Sequence, residues 1–449
     1  MQKPSVLIVA YAFPPNSVVG AQRPLRMVKY LPRLTDWQPI VLSARQTGQL
    51  TDHSLLDEIP AGVPVYRTRS WEPIRLLQRR LRAGARQTGE EPGNAKLGVE
   101  PGVAPAKRPP SRFKKLLLDL LSTPDSQLGW VGFAVAAGLR IARRHRPDVI
   151  LVTVPPWSAL IVGHVLGALT RIPWVADYRD PWTDIDRGPV APWRQRFERW
   201  LENRLLKNAA AILSSSDRYT AIMRDRFTAR PSGDFATMFN GFDEAKFDGQ
   251  PPQRNEIFTI THLGSLYSYV QPESVFVGLR NWLAQEPARR RQVRLQFIGQ
   301  IDGAVRASLA RLGLLDLTEL SGFVPHAEAI ARCRGSQILL LAMGNTSLTP
   351  AGWMPSKLYE YLACRTPILA YTVRGEAAQA IENAGAGAVV SSDDPRDVVA
   401  ALDRLAFQCP PPPSAAADDW PAPLRRFTQA AIIPALATVL AQVRRPSRR

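Results

Sequence analysis

The chain repeats one pattern twice: a short unbroken apolar run, a stretch of helical period, then another apolar run. In the first half the runs are "SVLIVAYAF" (5–13), "WQPIVLSA", "VPVYRTR", "PDVILVTV" (147–154), "WVADYRD" (174–180) and "AAILSSS" (210–216). After a turn at "NGFD" (240–243) the pattern restarts with "FTITHLGSL", "VRLQFIGQ", "LTELSGFV", "QILLLAM", "PILAYTV" and "GAVVSS". Strands that are apolar without alternation are covered on both faces, as in a parallel sheet flanked by helices. Two such series predict an α/β fold of two doubly wound, Rossmann-like domains facing a cleft, with ligands at the carboxyl ends of the strands. The expected extents are 1–240 and 255–423, with a tail helix in 424–449 that crosses back to the first domain. At 449 residues and 45% hydrophobic, the chain suffices for two cores of this kind.

One stretch breaks the pattern. Residues 84–110, "GARQTGEEPGNAKLGVEPGVAPAKRPP", are rich in Gly, Pro, Ala and charge and have no apolar period. They are expected to form a disordered, basic insertion.

The formal net charge is +18. Part of it reflects a general use of arginine, but the basic residues also cluster at "RLLQRRLRAGAR" (75–86), "KRPPSRFKKLLLDLL" (107–121) and "RIARRHR" (140–146). Such clusters suit an anionic membrane surface, an acidic substrate or nucleic acid. Nucleic acid is the least favoured partner, because no reading module or interleaved basic–aromatic stripe is evident. Phe113, Leu116, Leu117 and Leu120 stand at helical spacing beside Lys114 and Lys115, which fits either an interfacial helix or an ordinary docked surface helix. The apolar window "WSALIVGHVLGALTRIPWVA" is broken by His164, Arg171 and Pro173, short of the ~18 uncharged residues of a spanning helix. The N-terminus lacks the pattern of a secretory signal. Cys333, Cys364 and Cys409 have no paired or metal-like spacing and read as reduced thiols. The expected location is cytoplasmic, peripheral on the inner face of the cell membrane.

"GWMPSKLYEYLACRTPILA" (352–370) carries the chemistry. An apolar strand is followed by a helix from Met354 to Cys364, with Pro355 near its first turn, where a missing N–H costs nothing. The helix start, with Ser356 and its neighbours, offers free backbone N–H groups to phosphate, and Lys357 adds a full charge. Glu360 lies one turn on, on the same face, where a carboxylate suits the paired hydroxyls of a ribose. The arrangement fits a nucleoside diphosphate. As a surface ion pair Lys357 and Glu360 would contribute only ~0.2–0.5 kcal/mol.

Four segments resemble those of family 4-like glycosyltransferases of the GT-B fold. They are "YAFPPNSVVGAQRPLRMVKYL" (11–31), "VADYRDPW" (175–182), "FNGFDEAKF" (239–247) and "PSKLYEYLACRTPILA" (355–370), in the family's order. The resemblance implies a hexosyltransferase-type enzyme that moves a sugar, with retention, from a nucleoside-diphosphate sugar to a hydroxyl of a saccharide or lipid-linked saccharide. It implies no cofactor beyond the donor substrate and no metal, the helix dipole and basic side chains acting on the leaving diphosphate. By position, Lys357 would hold the diphosphate and Glu360 the ribose. Gly20 would let the backbone approach the sugar phosphate, or is simply a loop glycine. Gly264 would lie in the second domain's first strand–helix loop, on the donor side. Arg23 would support the phosphates or be a solvated helix residue. Arg179 and Asp180 would face the cleft, Asp180 orienting or deprotonating the acceptor or else capping the turn before Pro181. Asp177 is a further candidate.

The sequence departs from the family at Gly352, where many members carry a glutamate that contacts the donor sugar. The loop after "THLGSL" has Tyr267, Ser268 and Tyr269 in place of the usual basic residue. Both departures leave the donor open. Gly352 also suggests a non-catalytic scaffold with a degenerate nucleotide cleft, and the nucleotide-sugar 2-epimerases, which share the fold and these motifs only loosely, are a further alternative. The "DID" at 184–186 is too common a pattern to mark a metal site. Of His164, His262 and His326, only His262 is placed to act at the site.

Overall fold

The computed structural model describes residues 3–45, 51–72, 123–185, 190–247, 253–270, 272–346, 349–407 and 420–444. The expected insertion, the basic runs 75–86 and 107–121, Asp186 and Cys409 lie outside them. The chain divides into two compact units: 1–215 with 222–238 and 433–449, and 216–221 with 239–432.

The sheet of unit 1 has seven parallel strands: β1 (Ser5–Ala10), β2 (Gln38–Ala44), β3 (Val65–Thr68), β4 (Val149–Val154), β5 (Trp174–Tyr178), β6 (Ala211–Ser214) and β7 (Phe235–Thr237), in spatial order 3-2-1-4-5-6-7. β1, β4 and β5 lie at its centre and are almost wholly buried, which is why their sequences show no polar alternation. The helices are α1 (Val19–Leu34), α2 (Val131–His145), α3 (Ala159–Thr170) and α4 (Pro192–Leu206); α5 (Asp217–Arg226) is counted with unit 2 up to Ala221 and with unit 1 from Ile222. Trp130, Trp174, Leu166 and Val152 belong to one buried cluster on this sheet. The basic run 140–146 lies at the end of α2, where cations complement the helix dipole.

Unit 2 has six parallel strands: β8 (Phe258–Leu263), β9 (Val293–Ile298), β10 (Thr318–Gly322), β11 (Ile338–Gly344), β12 (Ile368–Thr372) and β13 (Gly387–Val390). Their order, β10-β9-β8-β11-β12-β13, repeats the arrangement of the first six strands of unit 1. The helices are α6 (Glu273–Gln285), α7 (Gly303–Arg311), α8 (His326–Gly335), α9 (Ser356–Cys364), α10 (Glu376–Asn383) and α11 (Pro395–Phe407). Phe276, Trp282, Phe297, Leu309 and Leu402 centre its core. The last helix, α12 (Gln429–Val443), starts in unit 2 and is counted with unit 1 from Ile433, where Arg444 Nε donates to Asp148 at 2.8 Å. Among the described residues no helix is long and apolar enough to cross a membrane.

Candidate functional site

In unit 1 the candidate residues gather where β5 ends and α1 begins. Asn16 Oδ1 accepts the Val18 amide at 2.9 Å, and α1 starts at Val19. Gly20 and Arg23 therefore lie in the first turns of a helix; the glycine loop expected from the sequence is shorter. Pro24, inside α1, has no N–H to give the Gly20 carbonyl. The need for glycine at position 20 is a close approach: a Cβ there would stand 2.2 Å from Arg179 Nη1. The Arg179 guanidinium is held in that place by two carbonyls, donating from Nε to Val154 O at 3.2 Å and from Nη2 to Pro155 O.

Arg23 is neither solvated nor open to a ligand from the outer side of the helix. It is buried, 5% exposed, and grips the fully buried Asp177 with two nitrogens, Nε at 2.9 Å from Oδ2 and Nη2 at 2.6 Å from Oδ1. A buried fork of this kind fixes α1 on the end of β5. Losing one partner strands a charge in the interior, at a cost of about 3–5 kcal/mol. Asp180, two residues past β5, is half-buried. Its carboxylate accepts no hydrogen bond from the turn that follows, nor from any other described residue, so the structure gives no support to a capping role. Burial pushes this carboxyl up, against the pull of Arg179 and Arg23. Asp184 of the "DID" is taken by Arg226 at 2.7 Å and Arg199 at 3.0 Å.

In unit 2 the helix of interest begins at Ser356, with Pro355 as its extended N-cap residue. A proline before the first turn ends the preceding loop and leaves the Ser356 and Lys357 amides outside the helical ladder. Tyr361, fully buried on α9, ties the helix to two strand ends: its hydroxyl accepts Leu263 N of β8 at 2.7 Å and donates to Leu340 O of β11 at 3.3 Å. This sets Lys357 beside Gly264, where a Cβ would lie 3.5 Å from Nζ; Gly264 itself has φ +90°, a conformation that favours glycine.

Lys357 has no carboxylate at ion-pair distance among the described residues. Its Nζ donates instead to Nε2 of the buried His262 at 3.3 Å. The other ring nitrogen of His262 faces Leu340 O at 2.9 Å. A carbonyl only accepts, so the ring proton belongs on Nδ1 and Nε2 is left as the acceptor for the lysine. Burial, then the nearby lysine, lowers His262 to about 3, and the ring is neutral. Burial lowers Lys357 to about 8, opposed by Glu360. The site therefore holds a cation that lacks its anion.

Glu360 Oε1 accepts from His326 Nε2, at the start of α8, at 2.9 Å. The sequence offered no sign of this pairing, since the two residues are 34 positions apart. Gly352 is buried against Tyr219, and a Cβ at 352 would stand 2.6 Å from its ring. Tyr219 thus fills the space into which a side chain at 352 would begin to project. Nearby, the Glu376 carboxylate accepts the Asp217 and Arg218 amides at 2.8 and 2.9 Å. A cavity of about 450 Å³ lies here, lined by Arg218, Met354, Arg374, Glu376, Arg426 and Phe427; Lys357 and Glu360 do not line it.

The structure thus brings Gly20, Arg23, Asp177, Arg179 and Asp180 together in unit 1, and Gly264, Ser356, Lys357 and Glu360, with His262, in unit 2. Sequence reasoning set His326 aside and missed Tyr361, Tyr219 and Glu376.

Residues 20–234 match the model of the glycosyl transferase 4-like domain, and residues 258–407 that of glycosyl transferases group 1. No curated protein matches the sequence. Among solved structures, the chain is similar to sucrose-phosphate synthase of Thermosynechococcus elongatus, with TM-score 0.61, 12% identity, and 98% of this chain and 99% of that one covered. It is similar to the lipopolysaccharide outer core galactosyltransferase WaaB, with TM-score 0.54, 12% identity and coverages of 98% and 99%. It is also similar to UDP-GlcNAc 2-epimerase of Neisseria meningitidis, with TM-score 0.52, 11% identity and coverages of 98% and 100%. At such identities these likenesses speak for the fold. With both halves matched by glycosyltransferase family models and two doubly wound parallel-sheet units as expected, the chain belongs to the family 4-like glycosyltransferases of the GT-B fold.

Proposed function

We propose that this glycosyltransferase transfers a sugar, with retention and without a metal, from a nucleoside-diphosphate sugar to a hydroxyl in polysaccharide or glycolipid biosynthesis. The observation that carries the donor part is Lys357: a half-buried cation at a helix start, beside Gly264, whose only hydrogen-bond partner among the described residues is a neutral imidazole. A diphosphate supplies the missing charge. The Ser356 and Lys357 amides add the helix dipole, and the developing charge on the leaving group is stabilised by these fixed groups. Glu360, steadied by His326, receives the ribose hydroxyls. Arg179 and Asp180 are the proposed catalytic pair. Asp180, a carboxyl raised by burial and without a hydrogen bond, orients or deprotonates the acceptor hydroxyl. Arg23 supports this group through its ion pair with the buried Asp177.

The acceptor is proposed to be a saccharide, free or carried on a lipid diphosphate, met at an anionic membrane face from the cytoplasmic side. The net charge of +18 and the basic clusters of the sequence favour that setting.

The test is product analysis with a panel of nucleotide sugars and saccharide acceptors. Acceptor-dependent release of nucleoside diphosphate, with a retained anomeric configuration in the product, is expected. Conversion of the donor to its 2-epimer without an acceptor would replace this reading with an epimerase. Gly352, with Tyr219 in the space above it, is the feature that favours that second reading, because the donor-sugar contact of the family is missing.

A further inference from the structure

Helix α4 is built inside out. Its two carboxylates, Glu198 and Glu202, are fully buried. Each is neutralised there: Glu198 by Arg194 at 2.8 Å, and Glu202 by Arg226 at 2.7 Å with hydrogen bonds from Tyr178 and Thr183. Its aromatic residues point the other way. Trp193 is 39%, Phe197 43% and Trp200 59% exposed. At 100° per residue these three fall within an arc of about 60°, and Arg204 and Lys207 continue the same stripe, with Arg196 at its edge. Phe197 and Trp200 touch, their ring centres 5.7 Å apart. Arg196, Arg204 and Lys207 are exposed and make no ion pair among the described residues.

The outward face therefore carries three large aromatic rings and only positive charge, because both acids of the helix are consumed inside. Trp beside Arg on the outer face of an amphipathic helix is the chemistry of the headgroup–acyl boundary. A second copy of the chain is a poor occupant, since a two-fold pairing of this face would set its cations against one another. A single convex helix also lacks the groove in which single-stranded nucleic acid is tracked. We propose that α4 is the face on which the enzyme docks on an anionic bilayer, with Trp193, Phe197 and Trp200 entering the boundary and Arg196, Arg204 and Lys207 meeting lipid phosphates. The proposal rests on the membrane setting given above and assigns it a site distinct from the candidate donor residues.

The experiment is vesicle flotation of the full chain with phosphatidylglycerol-containing and pure phosphatidylcholine vesicles at low and high salt. Three variants accompany the wild type: Trp193→Ala/Phe197→Ala/Trp200→Ala, Arg196→Gln/Arg204→Gln/Lys207→Gln, and Phe323→Ala, an exposed aromatic of unit 2, as a control. Unchanged melting temperatures establish that the variants fold, as expected for side chains on an outer face. The wild type and the Phe323 variant should float with anionic vesicles only. The aromatic triple variant should lose at least about tenfold in partitioning, and the charge variant a similar factor at low salt with a flattened salt dependence. Tryptophan quenching by brominated lipid should fall in the aromatic variant. If the wild type floats and both triple variants float equally well, α4 is not the docking face, while the membrane setting survives. If the wild type never floats, both are overturned. If the triple variants instead abolish a dimer or oligonucleotide binding and leave flotation intact, the face has another occupant and the proposal is wrong.

Discussion

The two clusters of charged residues each lie beside the carboxyl end of a strand and the start of a helix, α1 after β1 in unit 1 and α9 after β11 in unit 2, yet they are wired differently. In unit 1 Arg23 is forked onto Asp177 out of solvent, and Arg179 is pinned between two carbonyls against Gly20. Arg179 and Asp180 feel each other's charge without an ion pair. In unit 2 the main charge is unsatisfied: Lys357 leans on a neutral histidine and is lowered to about 8 by burial. The Arg23–Asp177 pair is closed on itself, whereas Lys357 has no carboxylate at ion-pair distance among the described residues, and burial of the opposite charge is what separates the two. On the proposed function the second arrangement is completed by the anion of the donor.

The largest expected effect tests the support. Arg23→Ala should cost about 3–5 kcal/mol of stability, read from urea denaturation, because Asp177 is left buried and alone. Lys357→Met in the ligand-free protein should cost nothing or stabilise, since it removes a partly buried cation with no counter-ion. Equal stability losses in the two variants would erase the contrast.

Next comes the ligand. Lys357→Ala should weaken nucleoside-diphosphate binding by roughly 10- to 100-fold, the worth of a charge-assisted hydrogen bond, in a calorimetric titration. The same titration against pH sharpens the point. Free Lys357 gives up its proton near pH 8, whereas a bound diphosphate holds the proton on. Affinity should therefore be flat below pH 8 and fall by about tenfold per unit above it, until the bound form also titrates. In the Lys357→Ala protein that fall should vanish. The smallest effect belongs to His326, an exposed partner of Glu360: His326→Ala should weaken nucleotide binding by about two- to threefold, because an exposed pair is largely screened. A tenfold loss there would make His326 a direct ligand.

What was legible in the sequence follows from range. Strands β1, β4, β8 and β11 announce themselves as apolar runs because both their faces are buried, and α9 because Pro355 precedes its period. β7, three residues at a sheet edge, and α2, rich in Ala, Gly and Val and without a side-chain cap, give weak local signals and were not read. The start of α1 is hard to read because Pro24 resembles a helix beginning, although it sits in the second turn. The positions of Lys357 and Glu360 at a helix start were legible; their partners were not. His262 is 95 residues from Lys357, Asp177 is 154 from Arg23, and Tyr219 reaches Gly352 from another segment. Such pairings are decided by strand order, which side-chain patterns fix only in outline. The aromatic stripe of α4 was in plain view, but a helix with apolar and polar faces does not declare which one it buries until its carboxylates are seen inside.

The most direct test of the central claim is thermal stabilisation of the purified protein by UDP, GDP, ADP, TDP and CMP, beside Lys357→Ala and Glu360→Gln. At about 100 times its dissociation constant a ligand adds about 2.7 kcal/mol, a shift that is easily read. One nucleoside diphosphate should raise the melting temperature of the wild type, and both variants should lose the rise. If no nucleotide stabilises a folded, monodisperse wild type, or if the variants keep the full shift, the start of α9 is not the donor site and the chain is better read as a scaffold with a degenerate cleft.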